Sequence, residues 1–314
     1  MPARTTNFRV VVSTLQEING PALRKPTLWD YARLLGAAAL WGSSFLLNEL
    51  ALKDFSPIAI ATYRISLAAL ALCTICYWLG LRVQLTWRST GLLFAIGVLN
   101  SVIPFSLIGW GQLRIDSATT AILLATTPFS TLLFSHFMTR DDRFAWSKLI
   151  GLGFGFLGVV ALLGLGASQG GGSVAGMLVV ILAGCGYSLS SLLIRKLSGM
   201  NTLLLVAGSL LAGAAASLPL LLLFYPPWQQ SYEATSLAAL LALALGPTAI
   251  AYVLRAQIVQ LNGAVFMSNV GYLIPLFAVF WGWVFLSQQP SLVMWLALVL
   301  ILGGIAVGQW RKSS

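Results

Sequence analysis

Two ionisable residues lie inside hydrophobic stretches near the start of the chain. Glu49 follows an apolar run that begins at Leu34, and Arg64 lies inside the next run, residues 57–79. Both are at similar distances from the intervening turn, so an antiparallel helical hairpin would place them at similar depth. Ionisable residues inside a membrane usually face the protein interior and have a partner. We therefore predict a Glu49–Arg64 ion pair, which either fixes two helices together or couples solute or proton movement.

Uncharged polar and aromatic residues within apolar runs are candidates for contacts to a small molecule. Trp41, Ser44 and Asn48 are spaced by three and four, so they share one helix face. The other candidates for substrate binding are Asn100, Trp110, Tyr187, Tyr252, Asn269 and Tyr272. In a water-filled cavity these groups can hydrogen-bond or stack on a solute. The alternative role for each is an interhelical hydrogen bond or an interfacial aromatic position.

Residue types for catalysis or metal binding are sparse. The only histidine is His136, and the sequence shows no paired carboxylates within one predicted helix, no phosphate-binding loop and no His/Cys cluster with metal spacing. Cys73 and Cys76 have the spacing of a redox or metal motif, but both lie in an apolar run, where ordinary helix packing explains them better. The sequence predicts no catalytic residues, no metal site and no cofactor, so an enzyme is disfavoured.

Composition identifies the class of protein. Of 314 residues, 58% are hydrophobic and 8% are charged, whereas soluble domains have about 25% charged residues. The net charge of +10 does not indicate nucleic-acid binding, because the basic residues lie between apolar runs and not on a polar domain. We predict an all-α membrane protein in contact with lipid.

The apolar runs predict ten transmembrane helices, since about 20 apolar residues cross a bilayer. Their approximate ranges are 34–52, 57–79, 91–110, 117–137, 145–166, 174–194, 202–224, 236–256, 263–286 and 291–309. With the N-terminus inside, fifteen Lys and Arg residues fall on the inner side and two on the outer side. This asymmetry follows the positive-inside rule and predicts that both termini are cytoplasmic.

A glycine-rich linker, residues 167–173, divides the chain into two five-helix repeats, 31–166 and 174–310, with a tail at 1–30 and a short end at 311–314. An odd number of helices in each repeat gives the two repeats opposite orientations. Ser117–Ala121 precedes Pro128 in the first repeat, and Asn262–Val265 precedes Pro275 in the second. We predict helix kinks at Pro128 and Pro275, because proline removes a backbone donor.

These stretches resemble a known family. Leu40–Phe45, Tyr63 with Arg64, Leu113–Ala121 and the two glycine-rich segments 145–166 and 291–309 are similar to the EamA-type ten-helix members of the drug/metabolite transporter superfamily. The resemblance implies a secondary transporter in a bacterial inner membrane that moves a small organic solute, often outward, by alternating access. It also implies a central cavity lined by the third, fourth, eighth and ninth segments, with parts of the first and sixth.

The predicted function is export of neutral or zwitterionic metabolites such as amino acids. Trp, Tyr, Asn and Gln with few charges suit such solutes and suit polyanions poorly. Protons are a candidate coupling ion, through protonation of Glu49, and no oligomeric state is predicted. The alternatives are a multidrug or toxic-compound exporter, and a membrane receptor that does not transport.

Overall fold

The computed structural model describes residues 26–82, 85–127, 129–130, 133–134, 150, 153–154, 156–158, 173–197, 199–226, 232–262 and 270–309. All regular structure in these ranges is helical, in agreement with the predicted all-α class. The helices are α1 (Leu28–Ala51), α2 (Pro57–Trp78), α3 (Trp87–Gln112), α4 (Ser117–Leu124), α5 (Val174–Arg195), α6 (Thr202–Phe224), α7 (Ala234–Leu243, Ala244–Ile250 and Ala251–Asn262), α8 (Val270–Leu286) and α9 (Leu292–Gln309).

Six helices in the described ranges are long and apolar enough to cross a membrane: α1, α2, α3, α5, α6 and α7. Large apolar side chains such as Leu223 and Phe224 cover their outer faces and are exposed, as expected of surfaces that contact lipid. The chain is therefore an integral, multi-pass membrane protein. The count of ten helices and the cytoplasmic position of both termini remain predictions, since 135–149 and both chain ends lie outside the described ranges.

Helix starts follow local capping signals. Ser56 accepts a hydrogen bond from the Ala59 amide (3.3 Å), and Pro57, which has no N–H to leave unpaired, occupies the first position of α2. The Thr27 amide donates to Asp30 Oδ2 (2.8 Å) in a capping box. Helix α1 therefore starts at Leu28 and not at the predicted Leu34, because a capped segment that carries Asp30 and Arg33 precedes its apolar run.

Close helix crossings join the two halves of the chain. Helix α1 packs extensively on α8, and α2 packs on α6. At Gly42 in α1, a Cβ atom would lie 2.5 Å from Phe277 Cβ and 3.0 Å from the Ala278 nitrogen. Only glycine allows the two backbones to approach this closely, which is the usual role of small residues between membrane helices.

Helices α3 and α7 each contain a π-helical segment near a proline. In α3 the segment is Val98–Val102, just before Pro104. In α7 it is Ala244–Ile250, which contains Pro247. Pro247 has no N–H to donate to the Leu243 carbonyl, and the Thr248 hydroxyl donates to that oxygen instead (2.8 Å). Single π-turns are rare and frequently occur at functional sites.

Candidate functional site

A cluster of polar and aromatic side chains lies in the middle of the bundle, between α1, α2, α3, α5 and α7. We call it the polar centre; its members are Trp41, Arg64, Asn100, Tyr187, Ser190, Thr248 and Tyr252. The apolar residues of α2, α3, α6 and α7 that pack around it, such as Ile65, Phe105 and Leu210, are buried. Polar groups in such surroundings need hydrogen-bond partners, so the contacts within the polar centre define its chemistry.

Arg64 is held from two sides. Its Nε donates to the Thr248 hydroxyl (2.6 Å), and its guanidinium carbon lies 3.9 Å from the centroid of the Phe105 ring. Its side chain is only 6% exposed. Tyr187 and Tyr252 pack against the buried cluster that contains Phe105 and interact electrostatically with Arg64. Arg64 is therefore a buried cation surrounded by hydroxyl and aromatic groups.

Asn100 links three helices on the other side of the polar centre. Its Nδ2 donates to the Tyr252 hydroxyl (3.3 Å), and its Oδ1 lies within hydrogen-bonding distance of the Ser190 hydroxyl (3.0 Å). Trp41 Nε1 donates to the Pro247 carbonyl (2.9 Å), and the Trp41 ring meets the Tyr252 ring edge-on at 6.4 Å. Helices from both repeats thus contribute to one hydrogen-bonded cluster.

The π-helical segments position two members of this cluster. Asn100 lies within Val98–Val102, and Thr248 lies within Ala244–Ile250. Gly186 of α5 packs against the first segment, since a Cβ there would lie 2.9 Å from the Leu99 carbonyl oxygen and 3.2 Å from Pro104 Cγ. The local irregularity in each helix therefore directs one polar side chain toward the middle of the bundle.

The predicted Glu49–Arg64 ion pair is wrong for this conformation. The Glu49 carboxylate accepts hydrogen bonds from the Gln288 amide (2.9 and 3.0 Å) and from the Ser117 hydroxyl. Equal depth along two helices does not fix the direction in which a side chain points. The Glu49 side of α1 faces α4 and the α8–α9 connection, whereas the Arg64 side of α2 faces α7.

Two predicted substrate-binding residues make contacts outside the polar centre. Asn48 Nδ2 donates to Gln112 Oε1 (2.8 Å), and both side chains are buried. Asn48 therefore forms an interhelical hydrogen bond, which is the alternative role that the sequence analysis gave for it. Near the end of α3, the Arg114 guanidinium carbon lies 3.4 Å from the centroid of the Trp110 ring. Ser44 is buried on α1.

The remaining candidates were placed as follows. Asn269, Pro128 and His136 lie outside the described residues. Tyr272 lies in α8, but its side chain is not among those described. Pro275 is buried inside α8, and the kink there remains a prediction.

Trp41, Asn100, Tyr187 and Tyr252 are brought together by the structure, whereas Ser190 and Thr248 were missed by the sequence reasoning. Thr248 directly follows the interior Pro247, and that adjacency was its only signal. Within the described residues, no three His, Cys, Asp or Glu side chains lie close enough to hold a metal ion.

The comparisons with known proteins agree with this architecture. The sequence profile of the EamA-like transporter family matches residues 29–164 and again residues 174–307, so the chain contains two copies of one unit. A solved crystal structure, 22% identical, superposes with a TM-score of 0.66 over 90% of this chain and 97% of the other, which supports the fold.

Curated relatives match over most of their length. They include the uncharacterized transporter YdfC of Bacillus subtilis (24% identical, 85% of this chain and 86% of the relative). An S-adenosylmethionine/S-adenosylhomocysteine transporter of Chlamydia trachomatis is 26% identical (85% of each chain). A probable terminal-alkyne amino-acid exporter of Streptantibioticus cattleyicolor is 23% identical (87% of this chain and 93% of the relative). With both halves of the sequence matched by its profile, this chain is a member of the EamA-like transporter family.

Proposed function

We propose that this protein is a secondary transporter that binds a small organic solute at the polar centre and exposes it alternately to the two sides of the membrane. The main observation behind the proposal is that both repeats contribute residues to the polar centre. Trp41, Arg64 and Asn100 come from the first repeat, while Tyr187, Thr248 and Tyr252 come from the second. A movement of one repeat against the other would rearrange this site directly.

Contacts between the repeats at both ends of α1 support alternating access. At one end, Glu49 binds Gln288. At the other, Asn262 Nδ2 donates to Asp30 Oδ2 (3.3 Å). Asp30 and Glu49 are about 28 Å apart along a straight helix, and Trp41 lies between them. Opening the contact at one end while the other stays closed would give the polar centre one exit at a time.

The solute we propose is a neutral or zwitterionic metabolite such as an amino acid, carried outward. Two relatives support this class, since S-adenosylmethionine and a terminal-alkyne amino acid both contain an amino-acid group. The hydrogen bonds of Asn100 to Tyr252 and Ser190 favour a polar metabolite over a multidrug exporter, which would need a mainly apolar, aromatic cavity.

We further propose that protons couple to transport through Glu49. The Glu49 carboxylate joins Ser117 of the first repeat to Gln288 of the second. Charge-assisted hydrogen bonds are about twice as strong as neutral ones. Protonation of Glu49 would therefore weaken this contact and favour opening at that end.

The test is uptake of labelled amino acids into proteoliposomes, with and without a pH gradient. We expect saturable uptake by the wild type. Tyr252→Phe removes the acceptor of the Asn100 hydrogen bond and should raise the half-saturation concentration ~2- to 10-fold, the range expected for one hydrogen bond.

Tyr77→Phe is the matched control. It removes the same hydroxyl from a side chain that is 83% exposed at the end of α2, and should leave uptake unchanged. Equal effects of Tyr252→Phe and Tyr77→Phe would contradict a solute site at the polar centre. Absence of uptake for all amino acids by folded wild-type protein would contradict the proposed solute class.

A further inference from the structure

Arg64 is a buried positive charge with little hydrogen bonding of its own. Among the described residues its one hydrogen bond runs from Nε to Thr248. The Phe105 ring covers one face of the guanidinium, but a ring quadrupole does not replace a counter-ion. Removing a cation from water without a paired anion is costly, so the bundle interior contains an unbalanced charge.

None of the acidic residues in the described ranges forms an ion pair with Arg64. There are five of them: Asp30, Glu49, Asp54, Asp116 and Glu233. The first four accept hydrogen bonds from groups other than Arg64, and Glu233 is exposed at the start of α7. The one ion pair among the described residues is Asp30–Arg33. No carboxylate in this part of the chain is therefore available to neutralise Arg64.

The groups around Arg64 favour an anion as the missing partner. Thr248, Tyr187 and Tyr252 are neutral hydroxyl residues, and Asn100, which donates to the Tyr252 hydroxyl, is a neutral amide. A carboxylate placed near Arg64 would meet a cation and the hydroxyl donors of the two tyrosines, without repulsion from a like charge. The planar guanidinium matches a carboxylate with two parallel hydrogen bonds, and Thr248 at Nε fixes the orientation of that plane.

We propose that Arg64 is the subsite that binds the carboxylate of the transported solute. This inference rests on the proposed function and makes it more specific, because it requires a carboxylate on every good solute. It also predicts that cations without a carboxylate are rejected, since they would meet the uncompensated charge of Arg64. The aromatic faces of Trp41 and Tyr252 remain for the rest of the solute, including an ammonium group.

The experiment measures binding by thermal unfolding of the detergent-purified full-length protein. The probes are matched sets built on alanine, methionine and phenylalanine. Each set contains the amino acid, its N-acetyl derivative, which keeps the carboxylate alone, and its amide, which keeps the ammonium alone. In the wild type, we expect the first two to raise the unfolding midpoint in a saturable manner and the amide to have no effect.

Three variants test whether binding of the carboxylate probes depends on Arg64. Arg64→Gln should weaken the apparent affinity for the carboxylate probes ~10- to 100-fold, as expected for hydrogen bonds to a charged group. Arg64→Lys keeps the charge without the planar fork and should be intermediate. Arg114→Gln is the control, because it removes an exposed guanidinium that lies on Trp110; it should bind like the wild type.

The inference is overturned if amides stabilise the wild type as well as carboxylates do, if no carboxylate raises its midpoint, or if Arg64→Gln retains wild-type affinity for carboxylates. The comparison of probes on the wild type stands even if Arg64→Gln does not fold. Failure of the proposed function looks different: carboxylate probes would bind through Arg64 while proteoliposomes show no uptake. Equal uptake of amino acids and their amides would support the proposed transport function and contradict the carboxylate subsite at Arg64.

Discussion

The two charged residues Arg64 and Glu49 inside the bundle have distinct neighbours. Arg64 contacts hydroxyl and aromatic groups in the polar centre. Glu49 lies toward the end of α1, where it holds Gln288 and Ser117. In the proposed mechanism Arg64 recognises the solute, and Glu49 controls closure at one end of the path.

Replacing Glu49 by Gln tests this division of roles. The variant keeps the size and most hydrogen-bonding capacity of the side chain but cannot change its charge. We expect the stimulation of uptake by a pH gradient to disappear, while uptake without a gradient persists. The measurement is initial uptake into proteoliposomes at several imposed gradients.

The matched control for this variant is Glu233→Gln, which neutralises an exposed carboxylate before α7 and should retain the wild-type response. A Glu49→Gln protein that still responds fully to the gradient would exclude Glu49 as the coupling site.

For single residues, the sequence predicted which side chains lie deep in the membrane but not the direction in which each side chain points. Trp41, Asn100, Tyr187 and Tyr252 could be predicted because polar groups deep in apolar helices must meet one another or water. The sequence could not show whether the Glu49 and Arg64 side chains face each other. The depth of a residue follows from counting along its helix, whereas the direction of its side chain depends on the packing of the whole bundle.

The elements that shape the polar centre are the π-helical segments of α3 and α7. Pro247→Ala would supply an N–H that can donate to the Leu243 carbonyl, in competition with the Thr248 hydroxyl. An ordinary helical turn would then shift Thr248 away from Arg64. We expect the half-saturation concentration for uptake to rise ~10-fold, since a hydrogen bond to a charged group is lost.

Pro219→Ala serves as the control for that variant. Pro219 lies inside α6 with an exposed side chain, remote from the contacts described for the polar centre. It should leave the half-saturation concentration unchanged. Similar changes in both variants would show that helix irregularity in general, and not the α7 segment, affects transport.

The crossing of α1 and α8 provides a test of packing. Gly42→Ala would place a methyl group 2.5 Å from Phe277 Cβ. Overpacking of this kind costs ~1–3 kcal/mol, so the thermal unfolding midpoint should fall. Gly91→Ala in α3 adds the same methyl where, apart from the adjoining residues and backbone of its own helix, no atom lies within 4 Å. It should be neutral or gain ~0.5–1 kcal/mol in helix stability; an equal loss in both variants would contradict the tight crossing.

Elements were predicted well where apolar runs are continuous and poorly where helices depart from regularity. The start of α2 at Pro57 was predicted correctly, because Ser56 and Pro57 carry a local capping signal. The π-helical segments were not predicted. Pro104 and Pro247 are visible in the sequence, but whether a proline produces a kink or a π-turn depends on the neighbours that accept the displaced backbone groups.

At the scale of the whole molecule, two copies of one unit both contribute residues to the polar centre. The repeat was visible in the sequence as recurring small residues and prolines, and the family profile matches each half. The contacts at the two ends of α1, Asp30 with Asn262 and Glu49 with Gln288, join the copies on either side of the polar centre. They depend on residues distant in sequence and could not be read from either half alone.

The central claim is that one solute site opens alternately to each side, and solute counterflow tests it most directly. Proteoliposomes containing the wild-type protein are loaded with an unlabelled amino acid and diluted into a trace of the same compound carrying a label. An alternating carrier predicts transient accumulation of label above its equilibrium level, without any ion gradient. Label that never exceeds the level in protein-free liposomes, for any amino acid tested, would contradict the account.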